Sequence, residues 1–177
     1  LESALERNAT IYAEVLGGDV NSGGQRNSGT MTAPNSDAVQ RCIKNAVQNS
    51  NIKPEDIDAI NGHLTATSKD FTEIENWSKA LGVNGNDFPY INSLKSMVGH
   101  CLSAAGAIES VASVLQIHQG FIFPNINCED LNEEITALIS EQKIPQTIIK
   151  KDISIVAKAS FGFGDVNGCV IYKKYKN

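Results

Sequence analysis

The sequence predicts an α/β fold with a mostly parallel, five-stranded mixed sheet and helices on its faces. Apolar runs of strand length alternate with segments whose apolar residues recur at helical spacing, and two further strand-like runs close the chain. The order of strand, helix, strand, helix, strand, helix, strand, strand is typical of crossover units that place strands in parallel. The last two strands form a hairpin, so the final strand is predicted to run antiparallel to the others.

Each predicted strand is an apolar run bounded by glycine, asparagine or proline. The first run stops at Gly17–Gly18, and the polar, glycine-rich stretch 19–32 after it is predicted to be an exposed loop. The glycine-containing segment 161–168 is predicted to be the loop of the closing hairpin. The predicted strands are 11–16, 57–60, 90–94, 153–160 and 169–175.

The helices are predicted from their apolar stripes and from residues suited to their ends. Asn35 or Ser36 can cap the first helix. The second helix is predicted to begin near Asp70, with Glu73 forming a partial capping box. The third is largely apolar and is predicted to be buried. The predicted helices are 36–50, 70–81, 101–119 and 133–140.

Composition excludes several classes of protein. The 177 residues are 41% hydrophobic and 20% charged, which is ordinary for a folded globular protein. A formal charge of −5 disfavours nucleic-acid binding, which needs a dense basic surface. The apolar stretch 101–117 is interrupted by polar residues and is shorter than the roughly 20 residues of a membrane span. We therefore expect neither a nucleic-acid nor a membrane partner.

The cysteines and the start of the chain suggest where the protein works. No CxxC pair and no signal-peptide pattern occurs, so we expect reduced, mostly buried thiols in a cytoplasmic protein. No metal-site spacing is present either. The chain opens without an initiator methionine, and we expect it to be a piece of something longer. The cysteines are Cys42, Cys101, Cys128 and Cys169.

Two histidines and one lysine follow the predicted strand ends. His63 comes directly after the second strand, while Lys95 and His100 follow the third. Parallel strands bring their carboxyl ends to one rim, so these turns can approach each other. Two neutral imidazoles there could each donate an N–H to one carbonyl oxygen and stabilise developing negative charge. A nearby lysine would favour the neutral imidazoles by charge repulsion. His118, at the far end of the third helix, is interpreted as structural.

Glu109 and Cys101 belong to the apolar third helix. A buried Glu109 would need an ionic or hydrogen-bonding partner, and a structural role is favoured. A cysteine at a helix N-terminus can have a lowered thiol pKa. Cys101 is nevertheless interpreted as a packed core thiol rather than a nucleophile, because unpaired cysteine is so often buried.

Three segments together resemble the β-ketoacyl synthase family of thiolase-like condensing enzymes. Residues 61–67 resemble its motif N-A-H-G-T-x-T. Residues 95–100 with 104–109 resemble K-S-x-x-G-H…A-A-G-A-x-E, and residues 160–168 resemble S-F-G-F-G-G-x-N-G. Order and spacing agree over nearly the whole chain. The resemblance implies that residues 1–177 are the C-terminal, thiolase-like half of such an enzyme.

The resemblance also implies catalytic roles. His63 and His100 would be the two histidines of a Cys-His-His triad, which hold the malonyl thioester oxygen, promote decarboxylation and stabilise the enolate. Lys95 would be the supporting lysine. The nucleophilic cysteine of the family lies in the preceding half, and nothing here matches it. This chain alone is therefore expected to be inactive, and the full-length enzyme is expected to be a homodimer.

Five more residues receive roles from the same resemblance. Thr65 and Thr67 would bind the phosphopantetheine arm of the acyl carrier protein, and Phe163 would gate the acyl pocket. Asn167 and Glu109 would be structural. No metal or organic cofactor is implied beyond the 4′-phosphopantetheine arm that the carrier delivers.

Two positions depart from the family pattern. Leu64 replaces a usual glycine and adds bulk beside the first histidine, and Asp165 adds a charge near the gate. Both are expected to alter acyl-chain preference more than the basic chemistry.

Three functions are compatible with the sequence. The first is an elongating 3-oxoacyl-(acyl carrier protein) synthase that joins a malonyl unit to an enzyme-bound acyl chain in fatty-acid or polyketide-like biosynthesis. The second is a non-catalytic, chain-length-determining subunit of a condensing-enzyme heterodimer. The third is a thiolase-like acyltransferase that uses Cys101.

Overall fold

A computed structural model describes residues 1–24, 32 and 34–176 of the chain. Short 3₁₀ turns at Pro54–Asp56, Leu102–Ala104 and Glu141–Lys143 connect some of the main elements. The helices are α1 (Glu2–Glu6), α2 (Ser36–Asn49), α3 (Asp70–Leu81), α4 (Lys95–Val98), α5 (Ala105–Gln119) and α6 (Glu133–Leu138). The strands are β1 (Glu14–Ser22), β2 (Ala59–Asn61), β3 (Tyr90–Asn92), β4 (Phe121–Ile122), β5 (Ile149–Lys150), β6 (Ile155–Gly162) and β7 (Val166–Lys173).

The main sheet has five strands in the order β1-β7-β6-β2-β3. Strand β2 is parallel to both of its neighbours, β3 and β6, whereas β7 is antiparallel to β6 and β1. Four strands therefore share one direction, and the last strand of the hairpin runs against them. This confirms the predicted α/β class and the antiparallel final strand. Strands β4 and β5 form a separate antiparallel pair.

The first strand is longer than predicted, and part of the predicted loop after it is strand instead. Residues 19–22, assigned to an exposed loop, belong to β1 because they pair with β7, from Asp19 opposite Cys169 to Ser22 opposite Val166. The hairpin loop is likewise shorter than predicted, since β6 and β7 leave only residues 163–165 between them. Residues 25–31 of the predicted loop lie outside the described residues.

The predicted third helix also differs from the structure. Helix α5 begins at Ala105 rather than at residue 101, and it is not buried on all sides. Ile108, Val111 and Leu115 are 39%, 60% and 37% exposed, so one apolar face of the helix is open in this chain. Across the described residues, none of the helices has the length and apolar character needed to cross a membrane.

One face of the sheet is packed with apolar side chains. Helices α2 and α3 cover it, and Ile43 and Trp77 from these helices meet Ile60 and Ile91 from the strands, all at 3% exposure or less. Burying each side chain of this size contributes about 1.5–3 kcal/mol relative to leaving it exposed. Asn35 caps α2 as predicted by accepting from two backbone N–H groups. This layer is the main core of the chain.

The opposite face, under α5, buries a polar row at its carboxyl end. Asn92, Asn61 and Lys158 are register partners on three adjacent strands, and all are at most 3% exposed. Strand side chains alternate between faces, so the apolar neighbours of these residues point to the other layer. Gln116 of α5 accepts from Asn92 Nδ2 at 2.9 Å, and Asn61 Nδ2 donates to the backbone carbonyl of Glu109 at 3.3 Å.

Candidate functional site

The carboxyl ends of β2 and β3 place the predicted site residues on one rim. His63 follows β2 by two residues, and Lys95 is the first residue of α4, which follows β3. His100 directly precedes the predicted start of the long helix at residue 101. In the structure it lies in the linker between α4 and α5, before the long helix begins at Ala105. Gly99 ends α4 with a φ of 74°, a left-handed value that glycine adopts without steric cost. The rim prediction is confirmed, and the predicted start of the long helix beside His100 is wrong.

The two imidazoles meet as predicted. The ring centroids of His63 and His100 are 5.3 Å apart, with an angle of 80° between the ring planes. Both rings line one cavity of about 480 Å³, together with Thr65, Thr67 and Phe163. Both rings can therefore act on one molecule in this cavity.

Local contacts set the tautomer of His100 and the protonation state of His63. The backbone N–H of Leu102 donates to Nδ1 of His100 at 3.0 Å, so a neutral His100 carries its proton on Nε2. Burial is the main cause that lowers the pKa of His63 to about 4, and the positive charge of Lys95 acts in the same direction. At neutral pH His63 is therefore uncharged and has one N–H to donate.

Glu73 shapes the turn that carries His63. Its carboxylate accepts from the backbone N–H of His63 at 2.7 Å and from that of Leu64 at 2.8 Å. The predicted capping box at the start of α3 is therefore wrong, because Glu73 reaches across to the strand-to-helix turn instead. Burial raises the pKa of Glu73 to about 7, although the two backbone hydrogen bonds act in the opposite direction.

Asp70 organises the two threonines. Its carboxylate accepts from the backbone N–H groups of Thr65, Ala66 and Thr67 at 3.0, 3.0 and 3.3 Å. The hydroxyl oxygens of Thr65 and Thr67 lie 3.3 Å apart at the cavity. Both threonines are therefore on the side of the turn where a bound molecule can reach them.

A buried ionic cluster lies beneath the histidines. Lys95 pairs with one oxygen of Glu109, and Lys158 pairs with the other at 2.6 Å. The three side chains are 6%, 2% and 4% exposed. Glu109 is thus buried and has two ionic partners, which fits the expectation that a buried carboxylate at this position needs a partner. Because one carboxylate faces two ammonium groups, the cluster has a net charge of +1.

The hairpin turn presents Phe163 and buries Asp165. Phe163 is 71% exposed and lines the histidine cavity. Asp165 is 3% exposed, and its Oδ1 accepts from the backbone N–H of Asn35 at 3.0 Å. Asn167 donates to Asn21 Oδ1 at 3.1 Å and to the carbonyl of Asp165 at 3.2 Å. The carboxyl group expected near the gate therefore lies buried in the turn, and these contacts join the turn to β1 and α2.

Leu64 and Cys101 behave differently from expectation. Leu64 is half-buried against the core and lines a second cavity of about 520 Å³ instead of the histidine cavity. Its bulk therefore faces the second cavity, which is also lined by His100, Thr65 and Thr67. Cys101 is partly exposed rather than packed in the core, and among the described lining residues it contributes to neither of these cavities. Cys42 and Cys169 are buried, and all four thiols are free.

Known proteins resemble this chain in sequence and in structure. The family model for the beta-ketoacyl synthase C-terminal domain matches residues 12–129, which is more than half of the chain. The chain belongs to the β-ketoacyl synthase family. A chloroplastic 3-oxoacyl-[acyl-carrier-protein] synthase II of Arabidopsis thaliana is 39% identical over 99% of this chain and 31% of its own length.

Two solved structures of β-ketoacyl synthase relatives share the fold. The ishigamide ketosynthase/chain length factor has a TM-score of 0.87 and 33% identity. A type II PKS acyl-carrier protein in complex with its ketosynthase, bound to the hexaketide, has a TM-score of 0.85 and 32% identity. Each match covers 99% of this chain and 41% of the solved chain. This β-ketoacyl synthase chain therefore spans between 31% and 41% of the length of these three relatives.

Sequence reasoning missed three residues of this site. Lys158 was overlooked, although a lone lysine within the apolar run 153–160 is a signal for a buried, paired charge. Glu73 was assigned to the wrong partner because a carboxylate in a first helical turn usually contacts its own helix. Asp70 was treated as a helix start, and no local pattern indicated its three bonds to the preceding turn.

Proposed function

We propose that the full-length protein is an elongating 3-oxoacyl-(acyl carrier protein) synthase, an acyltransferase of fatty-acid or polyketide-like biosynthesis. It would join a malonyl thioester to an enzyme-bound acyl chain by decarboxylative Claisen condensation. The observation that carries this proposal is the pair of imidazoles of His63 and His100, 5.3 Å apart on one cavity. The family membership of the chain supports it.

The proposed chemistry uses both imidazoles as hydrogen-bond donors. Their N–H groups would hold the thioester oxygen of the malonyl unit, where negative charge develops. The bond to the malonyl carboxylate breaks, carbon dioxide leaves, and the electron pair passes to that oxygen as an enolate. The enolate carbon then attacks the acyl thioester on the enzyme, a carbon–carbon bond forms, and the cysteine thiolate leaves. The charge of Lys95 would keep the histidines in the neutral form that this step needs.

The substrate would arrive on a phosphopantetheine arm carried by an acyl carrier protein. Thr65 and Thr67 have their hydroxyls at the cavity, where they could bind the polar groups of the arm. Phe163, exposed at the same cavity, would control access to the acyl pocket. One of the similar structures is a ketosynthase in complex with its acyl-carrier protein, which supports this choice of partner. Glu109 and Asn167 would keep the site in shape, and no other cofactor is proposed.

The N-terminal half of the same protein would complete the site. The family's cysteine nucleophile is expected there, since no segment of this chain resembles it. The exposed apolar face of α5, formed by Ile108, Val111 and Leu115, gives that half a surface to cover, and Leu102, 73% exposed, lies beside His100. We propose that the assembled enzyme is a cytoplasmic homodimer.

Decarboxylation of a malonyl carrier thioester by the full-length protein tests this function. Either His63→Ala or His100→Ala should reduce the rate about 10²–10⁴-fold, because each removes one donor to the developing charge. His118→Ala is the matched control, since this exposed histidine lies at the other end of α5 and contacts Tyr12. Full decarboxylation in both His63→Ala and His100→Ala would show that the assigned roles are wrong.

A non-catalytic, chain-length-determining subunit is the second candidate. The similarity to a structure described as a ketosynthase/chain length factor favours keeping it. The two candidates differ in the N-terminal half, where an active synthase needs a cysteine nucleophile. An acyl-thioester probe that labels an upstream cysteine of the full-length protein would support the synthase. Absence of labelling, with no condensation activity, would support the subunit.

A further inference from the structure

Lys158 is a buried charge that the proposed chemistry does not use. It lies on β6, is 3% exposed, and lines neither the histidine cavity nor the second cavity. Its Nζ donates to Ser160 Oγ at 2.6 Å and to the carbonyl of Ala159, and it pairs with Glu109 Oε2 at 2.6 Å. An ammonium has three N–H donors; two of them have hydrogen-bond acceptors here, and the charge is paired with the Glu109 carboxylate. The contacts therefore suit the charged form of the lysine and not a neutral amine that awaits a substrate.

The sheet register places this charge under the first histidine. Lys158 is paired with Asn61, and His63 is two residues beyond Asn61 on the same chain segment. Because side chains on β6 alternate in direction, Lys158 points to α5 and reaches Glu109, whereas Ala157 and Ala159 face the apolar core. The position of the ammonium is thus fixed by strand pairing and not by a flexible loop.

The charge balance of the cluster depends on Lys158. Lys95 and Glu109 alone would form a neutral pair, and their fields at His63 would oppose each other. With Lys158 added, the cluster keeps one net positive charge in a region where water screens little. Burial lowers the pKa of Lys158 itself, and the pairing with Glu109 counteracts that effect.

We propose that Lys158 is a positioning residue of the histidine site, which keeps positive charge beneath His63 and so holds that imidazole in its neutral, hydrogen-bond-donating form. This inference deepens the proposed function and rests on it. Five charged or titratable groups on the elements packed around His63 bear on its titration. The groups are Lys95 on α4, His100 in the following linker, Glu109 on α5, Lys158 on β6, and Glu73 on α3.

The test is the titration of His63 in the full-length protein, followed by NMR of the imidazole and assigned by the signal that His63→Gln removes. Lys158→Met removes the charge at similar length, and Lys158→Gln removes it but keeps hydrogen-bonding capacity if the first variant folds poorly. Each should raise the pKa of His63 by roughly 0.5–1 unit, because a repelling charge is lost. Lys79→Met, which removes an exposed lysine paired with Glu75, is the matched control and should not shift it.

A double variant distinguishes the effect of the lost Lys158 charge on His63 from the effect of a changed side-chain shape. In Lys158→Met with Glu109→Gln, Lys95 again provides one net positive charge, so the pKa of His63 should return towards its wild-type value. The low-pH limb of the decarboxylation rate should move in parallel in the same variants. An unchanged His63 pKa in Lys158→Met would overturn the proposal. If the wild-type protein shows no decarboxylation, the proposed function fails, but the NMR titration still decides the role of Lys158.

Discussion

The two faces of the sheet near its carboxyl rim are built from opposite chemistry. The face under α2 and α3 is closed by side chains such as Ile43 and Trp77, which need no partner beyond close packing. The face under α5 buries Asn61, Lys158 and Glu109, which need partners for every polar atom. The comparison teaches that one layer holds the fold together while the other sets the electrostatic environment of the histidines.

The largest effect is expected when the face under α5 loses the Glu109 carboxylate, which Lys95 and Lys158 share. Glu109→Leu leaves the ammonium groups of Lys95 and Lys158 buried without a counter-charge. Removing one partner of a buried ionic group typically costs about 3–5 kcal/mol. We expect the unfolding free energy of the full-length protein, measured by urea denaturation, to fall by that amount. A loss below about 1 kcal/mol would mean that water reaches and screens the cluster.

Two titratable groups of the site, Glu73 and His63, predict opposite pH dependences of stability. Folding raises the pKa of Glu73 from 4.5 to about 7. The contribution of Glu73 to folding stability is therefore fully present below pH 4.5 and is lost as the pH rises towards 7. Folding lowers the pKa of His63 from 6.5 to about 4. The contribution of His63 to folding stability is therefore fully present above pH 6.5 and is lost as the pH falls towards 4. Between pH 4.5 and 6.5 the two effects oppose each other.

Replacing either Glu73 or His63 should reveal the pH dependence of stability that the remaining group causes. In His63→Asn, stability should decrease from pH 4.5 to 7 by up to about 3 kcal/mol, because folding raises the pKa of Glu73 from 4.5 to about 7. In Glu73→Gln it should increase from pH 4 to 6.5, by a smaller amount because His63 is partly exposed. Urea denaturation at several pH values measures both slopes. Slopes of the same sign in the two variants would contradict this account.

The smallest effect is expected on the apolar face. Ile43→Val removes one methylene group from a fully buried position on α2 and should reduce the unfolding free energy by about 0.5–1.5 kcal/mol. The pKa of His63 should stay where it is, because no charge changes. By contrast, Glu109→Leu should alter both the unfolding free energy and the pKa of His63. A shifted His63 titration in Ile43→Val would show that the two layers are mechanically coupled.

Much of the fold and the central pair of the site were predictable from sequence. Strand–helix alternation and the turns after β2 and β3 were enough to place His63, Lys95 and His100 on one rim, because parallel pairing leaves little freedom there. The ends of elements were less predictable. Residues 19–22 look like a loop by composition, and they become strand only because β7 is beside them.

The contacts that tune the site were not predictable for a related reason. Glu73 and Lys158 act through partners distant in the sequence, and no local pattern specifies which partner a buried charge will meet. The open face of α5 was missed because an apolar helix of this composition is usually buried. In the proposed full-length enzyme, the N-terminal half would cover this face.

The polar row across β3, β2 and β6 also discriminates against mispaired sheets. If β6 slipped by one residue past β2, its side chains would exchange faces, and Lys158 would enter the layer packed by Ile155, Ala157 and Ala159. The ammonium would then be separated from Glu109 in an apolar layer, where an unpaired charge is strongly disfavoured. The correct alignment of these strands is therefore enforced by the same lysine that lies beneath the histidines.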